Sequence, residues 1–340
     1  MKVHLIFITL QIALGSTFEL SYILPDDVES WYVEYLNDNI TEPMVERSLV
    51  ENELTSLEKD PDLLKYFLWT QDNPTKEQRL ILGDPSTIQQ SHFNKSNPTR
   101  IMIHGIRSSH KSEVCTIIRD AHLKKGPYNF ICMDWSKIAY KSIPTSRLCM
   151  PSMGYDLAKF IEFLIQDGGI SKKNLIVMAH SYGTHIAGNG GKYLKKWNNT
   201  LPLIIVCDPA KALYTYKDCS TRICYTDADF VLSIQTTVTT AGFARPIGGG
   251  AYYPNGGYNQ PGCPDDKSHY LCSHLRSYKY LAEAILKNDF PTIECKSYKN
   301  ALRKQCGNTF SSIRMASEES FGRNGTFYVP VNSKPPYGKG

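Results

Sequence analysis

The sequence predicts an α/β fold, with a mainly parallel central sheet and helices on both faces. Two observations carry this prediction. Short apolar runs of β character alternate with amphipathic helical stripes through the middle of the chain, which is the order expected of a parallel sheet covered by helices. The chain also has 340 residues, 41% of them hydrophobic, which is enough to bury one large core.

The first residues predict a secretory signal peptide. Met1 and Lys2 give a positively charged start, a largely apolar run follows from Val3 to Leu14, and Gly15 is a small residue near a cleavage site. The run is too short for a transmembrane anchor, because spanning a bilayer takes about 20 apolar residues. We therefore assign residues 1–16 to a signal peptide and expect a secreted, extracellular protein.

Residues 17–65 form an acidic leader. They contain thirteen Asp or Glu against three Lys or Arg, whereas the whole chain carries a net charge of +5. Such a segment is either a prosegment that is removed or an extension that stays attached. The predicted catalytic domain is then 66–340. Its positive charge favours anionic surfaces, but the charges are scattered and no aromatic-basic motif is present, so nucleic acid is not an expected partner.

Four strands and three helices are predicted in the middle of the chain. Helical spacing of apolar residues, with glycines at the ends, defines the first two helices. In chain order the elements are a strand at 100–104, a helix around 114–121 that ends at Gly126, a strand at 128–133, a helix around 157–165 that ends at Gly168 and Gly169, a strand at 175–179, a helix from about Gly183 and a strand at 203–207.

The strongest functional signal surrounds Ser181. An apolar strand runs into Ala179-His180-Ser181-Tyr182-Gly183, the nucleophile-elbow pattern of a small residue, any residue, Ser, any residue and Gly. Small residues are needed because the turn is sharp, and the start of the following helix directs N–H groups to where an oxyanion forms. Ser181 is therefore the predicted nucleophile of an α/β-hydrolase fold.

The order of catalytic residues in such hydrolases is Ser, then an acid, then His. Asp208 directly follows the apolar strand 203–207, at the strand end where sites form in parallel sheets. Asp227 and Asp229 are rivals, but they lie away from a strand end and are interpreted as turn and solvent carboxylates. Asp208 is therefore the predicted residue that orients the base.

Three histidines follow Ser181 in the chain. His185 lies on the elbow helix, before the acid, and His269 lies in the segment between Cys263 and Cys272; both are interpreted as surface or packing residues. His274 follows Cys272 closely and starts a helix with an apolar stripe. A histidine beside a candidate disulfide and a helix start is held rigidly, so His274 is the predicted general base.

Two backbone N–H groups are predicted to bind the oxyanion. Gly105 follows an early strand and lets the backbone turn, so that the N–H of Ile106 faces the site. The N–H of Tyr182 is the second donor. This chemistry needs no metal or organic cofactor, and no Cys-x-x-Cys or Cys/His cluster predicts a metal site.

Ten cysteines and four glycosylation sequons agree with an oxidising, secretory route. The cysteine spacing suggests three local disulfides and leaves the other four cysteines unassigned, with Cys207 expected in a buried strand. The candidate disulfide residues are Cys219, Cys224, Cys263, Cys272, Cys295 and Cys306, the unassigned ones are Cys115, Cys132, Cys149 and Cys207, and the sequons begin at Asn39, Asn94, Asn198 and Asn324.

Several motifs in order, from roughly Tyr66 to Val331, resemble the pancreatic-lipase family of animals. The resemblance implies an α/β-hydrolase fold, a Ser-Asp-His triad at the predicted residues and a lipid-ester substrate at a membrane or micelle surface, with no obligate protein partner. Departures from the family pattern are Ile106, Ala179, Tyr182, Thr184 and Lys211. The matching segments include Phe67-Leu68-Trp69-Thr70, Ile103-His104-Gly105, His180 to Gly188, Asp208-Pro209-Ala210, Tyr253 to Gly257, Gln260 to Cys263 and Cys272 to Arg276.

Short loops make the chain more similar to insect phospholipases A1, including those of wasp venoms. Only eight residues separate Cys263 from Cys272, where this family carries a lid, and no second, lipid-docking β-sandwich domain is expected. A short lid leaves the cleft open to a phospholipid headgroup, so the resemblance implies phospholipase A1 activity on the sn-1 ester. A triacylglycerol lipase or galactolipase shares the whole site, and a non-catalytic lipid-binding relative shares the fold.

Overall fold

The chain divides into two compact units, Met1–Met44 and Val45–Gly340. The structure, a computed structural model, describes residues 5–11, 17–23, 60, 62–264 and 270–340. The first unit contains an antiparallel pair of strands, β1 (Leu5–Gln11) and β2 (Thr17–Ile23). Most of the predicted acidic leader lies outside the described residues. The signal peptide, the leader and the domain boundary at residue 66 remain predictions.

A ten-stranded sheet forms the centre of the second unit as the structure describes it. Its strands are β3 (Lys65–Trp69), β4 (Gln78–Leu80), β5 (Thr99–Ile103), β6 (Asn129–Asp134), β7 (Leu175–His180), β8 (Leu203–Cys207), β9 (Phe230–Ile234), β10 (Gly250–Pro254), β11 (Ile293–Glu294) and β12 (Gly325–Val329). The spatial order is β11-β12-β10-β9-β8-β7-β5-β6-β3-β4. Strands β5 to β10 and β12 run parallel, and β3, β4 and β11 pair antiparallel at the two edges.

Helices cover both faces of this sheet, which confirms the predicted α/β fold class. The helices are α1 (Pro85–Gln89), α2 (Glu113–Lys125), α3 (Ser136–Ala139), α4 (Ile143–Gln166), α5 (Gly183–Lys196), α6 (Tyr270–Lys287) and α7 (Tyr298–Leu302). Helices α2 and α6 pack together on one face, and α4 and α5 pack together on the other. Every residue of β6 and β8 is buried, as expected of parallel strands covered on both faces.

The four predicted strands and three predicted helices are all present, with differences at some boundaries. Helix α4 begins at Ile143, well before the apolar stripe that predicted it, because Ser142 caps its start by accepting a hydrogen bond from the Thr145 N–H at 3.2 Å. Helix α6 begins at Tyr270, so His274 lies in its second turn rather than at its start. Strands β9 and β10 were not among the predicted elements.

The parallel strands are in register at their carboxyl ends. Ile103 of β5 pairs with Ala179 of β7, and His180 of β7 pairs with Cys207 of β8. Cys207 pairs in turn with Ile234 of β9. The residues that follow these four strands therefore lie along one edge of the sheet, which is where ligands bind in open α/β sheets.

Candidate active site

Ser181 occupies a strained turn between β7 and α5. Its backbone has φ of +55°, in the left-handed region that a residue with a side chain rarely adopts. The turn is fixed by a hydrogen bond from the Ser181 N–H to the Cys207 carbonyl, at 3.0 Å. Gly183 is required next, since a Cβ there would lie 2.2 Å from the His104 carbonyl oxygen. These features are those of the predicted nucleophile elbow.

Asp208 follows β8 directly and is completely buried. One carboxylate oxygen accepts hydrogen bonds from the backbone N–H groups of Thr236, at 2.7 Å, and Thr237, at 3.1 Å. The other accepts from the Thr237 hydroxyl and from Nδ1 of His274, the latter at 2.5 Å. Both oxygens of this buried carboxylate are therefore satisfied by hydrogen-bond donors.

His274 lies on α6, and the centroid of its ring is 4.6 Å from the ring centroid of His180, the residue before Ser181. Because Nδ1 of His274 donates to Asp208, Nε2 is the nitrogen available for another group. The segment just before His274 is fixed by the Cys263–Cys272 disulfide and by Ser273, whose hydroxyl accepts the Gln260 N–H at 2.9 Å. The structure thus brings the predicted acid and base together beside the elbow.

The segment that contains Gly105 lies directly against Ser181. A Cβ on Gly105 would be 2.8 Å from the Cβ of Ser181, so only glycine allows this approach. Ile106 is the next residue, and Tyr182 stands immediately before the first residue of α5. The residues that carry the two predicted oxyanion donors therefore lie next to Gly105 and Ser181, and the direction of their N–H groups remains a prediction.

The rejected histidine His185 is a packing residue, as predicted. It is fully buried; its Nε2 donates to the Ala210 carbonyl at 2.7 Å, and its Nδ1 accepts the Ile223 N–H at 3.3 Å. Burial lowers the pKa of His185 to about 3. Both nitrogens are occupied, so this residue is not available as a base. The other rejected histidine, His269, lies outside the described residues.

Asp229 is exposed as predicted, but the interpretation of Asp227 as a solvent carboxylate is wrong. Asp227 is buried, and it accepts hydrogen bonds from Lys192, at 2.6 Å, and from the Cys224 N–H, at 2.7 Å. Burial raises its pKa to about 6 despite the lysine. It lies against α5, where Gly188 and Gly191 approach it closely, and its role is to anchor the loop that follows Asp208.

The three candidate local disulfides are all formed. They join Cys219 to Cys224, Cys263 to Cys272 and Cys295 to Cys306. A fourth joins Cys115 of α2 to Cys132 of β6, a pairing that the sequence left open because the residues come from separate elements. Cys207 lies in the buried strand β8, as expected; its thiol is free, and burial raises its pKa.

Three of the four predicted glycosylation sites are on the surface. Asn94, Asn198 and Asn324 are exposed, and Asn39 lies outside the described residues. Their glycosylation remains a prediction.

In the part of the chain that the structure describes, no helix is long and apolar enough to cross a membrane, and no group of His, Cys, Asp or Glu side chains is arranged to hold a metal ion.

The Thr236–Thr237 pair was missed by the analysis of the sequence, although it supplies three of the donors to Asp208. A signal was present. The two threonines follow β9, the strand that lies next to β8, so they come at the same edge of the sheet as Asp208. Finding β9 in the sequence would have been enough to place polar residues beside the predicted acid.

Comparison with known proteins places this chain among lipases and their relatives. The family model described as Lipase matches residues 32–337. A phospholipase A1 of Vespa crabro is 33% identical over 253 residues, which cover 71% of this chain and 83% of that protein. A pancreatic triacylglycerol lipase of Sus scrofa is 30% identical over 270 residues, which cover 73% of this chain and 59% of that protein.

Similarity extends to a relative that is named as inactive. The inactive pancreatic lipase-related protein 1 of Homo sapiens is 29% identical over 264 residues, which cover 71% of this chain and 56% of that protein. This chain therefore spans less than two thirds of the two mammalian relatives and most of the Vespa crabro protein. These relatives are named for different activities, so similarity alone does not identify the substrate of this chain.

Proposed function

The chain belongs to the lipase family, and we propose that it is a secreted serine esterase that hydrolyses the sn-1 acyl ester of glycerophospholipids. The observation that carries the proposal is the 2.5 Å hydrogen bond from His274 Nδ1 to the buried carboxylate of Asp208, beside the elbow of Ser181. A serine hydroxyl is a poor nucleophile until a base removes its proton, and a histidine oriented by a carboxylate is such a base.

The proposed reaction is acyl transfer to Ser181 and then to water. His274 Nε2 takes the hydroxyl proton as Ser181 Oγ attacks the ester carbonyl carbon, and it then gives that proton to the leaving alcohol. Asp208 stabilises the imidazolium that forms between these two events. The N–H groups of Ile106 and Tyr182 bind the oxyanion. Water then attacks the acyl carbon as His274 Nε2 takes its proton, and His274 returns that proton to Ser181 Oγ as the acid leaves, which restores the free serine.

Two observations support a phospholipid rather than a triacylglycerol substrate. The similarity to the Vespa crabro phospholipase A1 covers 83% of that protein. The Cys263–Cys272 disulfide closes a segment of only eight residues two positions before His274. A short segment leaves space for a polar headgroup at the cleft, whereas a longer lid would crowd it.

Two other functions are kept as alternatives. A triacylglycerol lipase or galactolipase would use the same proposed residues, and the similarity to the Sus scrofa lipase favours this possibility. A non-catalytic lipid-binding protein would keep the fold, and the similarity to the human relative named as inactive favours that one. The presence of Ser181, Asp208 and His274 in this chain argues against a non-catalytic role.

The proposal is tested by product analysis on phosphatidylcholine that carries different acyl chains at its two positions. Triolein and a galactolipid are assayed in parallel, with Ser181→Ala as the control. We expect release of the sn-1 chain, little cleavage of triolein, and covalent labelling by a fluorophosphonate that the Ser181→Ala variant loses. Dominant cleavage of triolein or galactolipid would replace the phospholipase assignment. Folded protein that neither turns over a lipid nor reacts with the fluorophosphonate would favour the binding protein.

Secretion is part of the proposal and has its own test. Four disulfides are typical of an oxidising compartment, and residues 1–16 have the pattern of a signal peptide. N-terminal sequencing of protein collected from the medium of expressing cells should give a start near residue 17. A start near residue 66 would identify the acidic leader as a removed prosegment, and retention of the whole chain inside the cells would refute secretion.

A further inference from the structure

His104 is a buried polar residue to which the proposed chemistry assigns no role. It follows β5 directly and has no exposed surface. Its imidazole stacks on the indole of Trp135, with ring centroids 5.4 Å apart and planes inclined by 9°. A polar ring placed this deep requires partners for both nitrogens, because an unpaired buried polar atom is costly.

The partners of the two nitrogens define one tautomer. Nδ1 lies 2.9 Å from the Gly105 carbonyl oxygen, which can only accept, so Nδ1 carries the hydrogen. Nε2 accepts the backbone N–H of Trp135 at 3.2 Å, so it carries none. The nearest oxygen of Asp134 is 3.7 Å from Nε2, too far for a hydrogen bond, and accepts the Ser136 N–H instead.

The bond from Nδ1 acts on the peptide group of the predicted oxyanion donor. The Gly105 carbonyl and the Ile106 N–H belong to the same peptide, which is planar and trans, so the two groups point in opposite directions. Gly105 itself lies against Ser181, at the 2.8 Å approach described above. Fixing the carbonyl on the side of His104 therefore turns the N–H of Ile106 to the opposite side.

We propose that His104 is a positioning residue, which orients the Gly105–Ile106 peptide for oxyanion binding, and that Trp135 fixes its tautomer. This role rests on the proposed serine esterase function. A hydrogen bond at the carbonyl also polarises the peptide, which makes its N–H a better donor. Donors oriented before the reaction need no reorganisation as the negative charge develops.

Other contacts hold His104 and the loop in place. The indole Nε1 of Trp135 donates to the His104 carbonyl at 2.8 Å, so Trp135 contacts both the ring and the backbone of His104. The Arg107 N–H donates to the Ala139 carbonyl, also at 2.8 Å, just beyond Ile106. The peptide thus lies between two anchored residues, and His104 supplies the bond that sets its rotation.

The test compares two substitutions of His104 with a matched control. In His104→Asn the side-chain amide can place an N–H near the position of Nδ1, whereas His104→Leu removes the donor. His122→Leu is the control, because His122 is also buried and its Nδ1 also bonds a carbonyl, that of Ile118 at 2.9 Å, on α2. Turnover of a soluble p-nitrophenyl ester, affinity for an alkyl boronic acid and thermal unfolding are measured for each variant.

We expect His104→Leu to lower kcat by about 10- to 100-fold, which approaches the loss of a whole oxyanion donor, while KM changes less than about threefold. Affinity for the boronic acid, which forms a tetrahedral adduct on the serine, should fall by a similar factor. His104→Asn should recover part of both losses. His122→Leu should lower the unfolding temperature without lowering kcat, since its bond lies away from the site.

Several results would overturn the role of His104. An unchanged kcat in folded His104→Leu would do so, as would equal losses in His104→Asn and His104→Leu or a matching loss in His122→Leu. If His104→Leu does not fold, Trp135→Phe replaces it, with an expected loss of about threefold to tenfold in kcat and unchanged activity as the contrary outcome. A wild-type protein without turnover would instead reject the proposed function, and the role of His104 with it.

Discussion

At the scale of single residues, Asp208 is held by the chain that surrounds it as much as by His274. Its backbone has φ of +46°, and its carboxylate accepts three hydrogen bonds from Thr236 and Thr237. Gly242 allows the loop to close over it, since a Cβ there would lie 2.7 Å from the carboxylate. The carboxylate of Asp208 is therefore held by its own loop, and this limits the directions in which the imidazole of His274 can turn.

This arrangement predicts the effect of removing a single hydroxyl. Thr237→Val keeps the shape of the side chain and removes its hydrogen bond to Asp208. Hydrogen bonds to charged groups contribute about 1.5–3 kcal/mol, so we expect kcat to fall by about tenfold or more if the carboxylate shifts or loses charge stabilisation. Steady-state kinetics on a soluble ester, across the pH range of activity, provide the measurement.

The neighbouring threonine gives a control of the same size and chemistry. Thr236 holds Asp208 only through its backbone N–H, and its own buried hydroxyl has no hydrogen-bond partner among the described residues. Thr236→Val should therefore leave kcat within about twofold of the wild type and should not destabilise the fold. Equal losses in the two variants would show that packing of the loop, and not the hydroxyl bond, supports the carboxylate of Asp208.

At the scale of elements, the helix that carries the elbow packs through small residues. A Cβ on Gly154 of α4 would lie 2.3 Å from the Cβ of Asn189 on α5, and one on Gly190 would lie 2.9 Å from Leu157. The two helices thus approach each other more closely than larger residues allow. Because α5 starts just after Ser181, the spacing between α4 and α5 also helps to fix the elbow.

Enlarging this interface by one methyl group should be costly. Gly154→Ala gains about 1 kcal/mol in helix propensity but forces overpacking, so we expect a net loss of about 2 kcal/mol in the free energy of unfolding, together with reduced activity. Gly126→Ala is the control, because a Cβ there would meet only Tyr128, at 3.6 Å. Urea unfolding of both variants checks this, and equal midpoints would refute the close packing.

At the scale of the whole molecule, two buried histidines on opposite faces of the sheet make stability depend on pH. Burial lowers the pKa of His122, next to β6, and of His185, on α5, to about 3 in both cases. The unfolded chain binds protons at these residues near pH 6.5, and the folded protein does not. Their contribution to stability is therefore complete above pH 6.5 and is lost as the pH falls towards 3. The contribution of Asp227 to stability depends on pH in the opposite direction. Because its pKa is raised, that contribution is lost as the pH rises through about 6.

The pH dependence can be assigned to one of these residues by substitution. Each such histidine adds up to about 1.4 kcal/mol per pH unit to the slope of the unfolding free energy between its two pKa values. When the pH falls from 7.5 to 5, we expect the free energy of unfolding of His122→Leu to decrease by about 2 kcal/mol less than that of the wild type. Urea unfolding at both pH values gives the comparison, in which the contributions of His185 and Asp227 cancel. Parallel losses in the two proteins would contradict a neutral, buried His122.

Local patterns in the sequence were sufficient for much of this protein. The fold class, the elbow at Ser181, the strand before Asp208 and the helix that contains His274 each follow from hydrophobic period and small residues within a short window. The three disulfides with short loops belong to the same group, because residues close in the chain meet with little loss of entropy. The roles of the three site residues remain predictions.

Only the tertiary structure decided which distant residues meet. No local pattern in the sequence predicts contacts between segments that are far apart in the chain. Examples are the Cys115–Cys132 disulfide and the hydrogen bonds from Thr236 and Thr237 to Asp208. The burial of Asp227 is another. The same holds for His104, whose partner Trp135 came within reach when β5 and β6 became neighbours in the sheet. Period and turn chemistry act over a few residues, whereas burial and hydrogen bonding are settled by the packing of the whole chain.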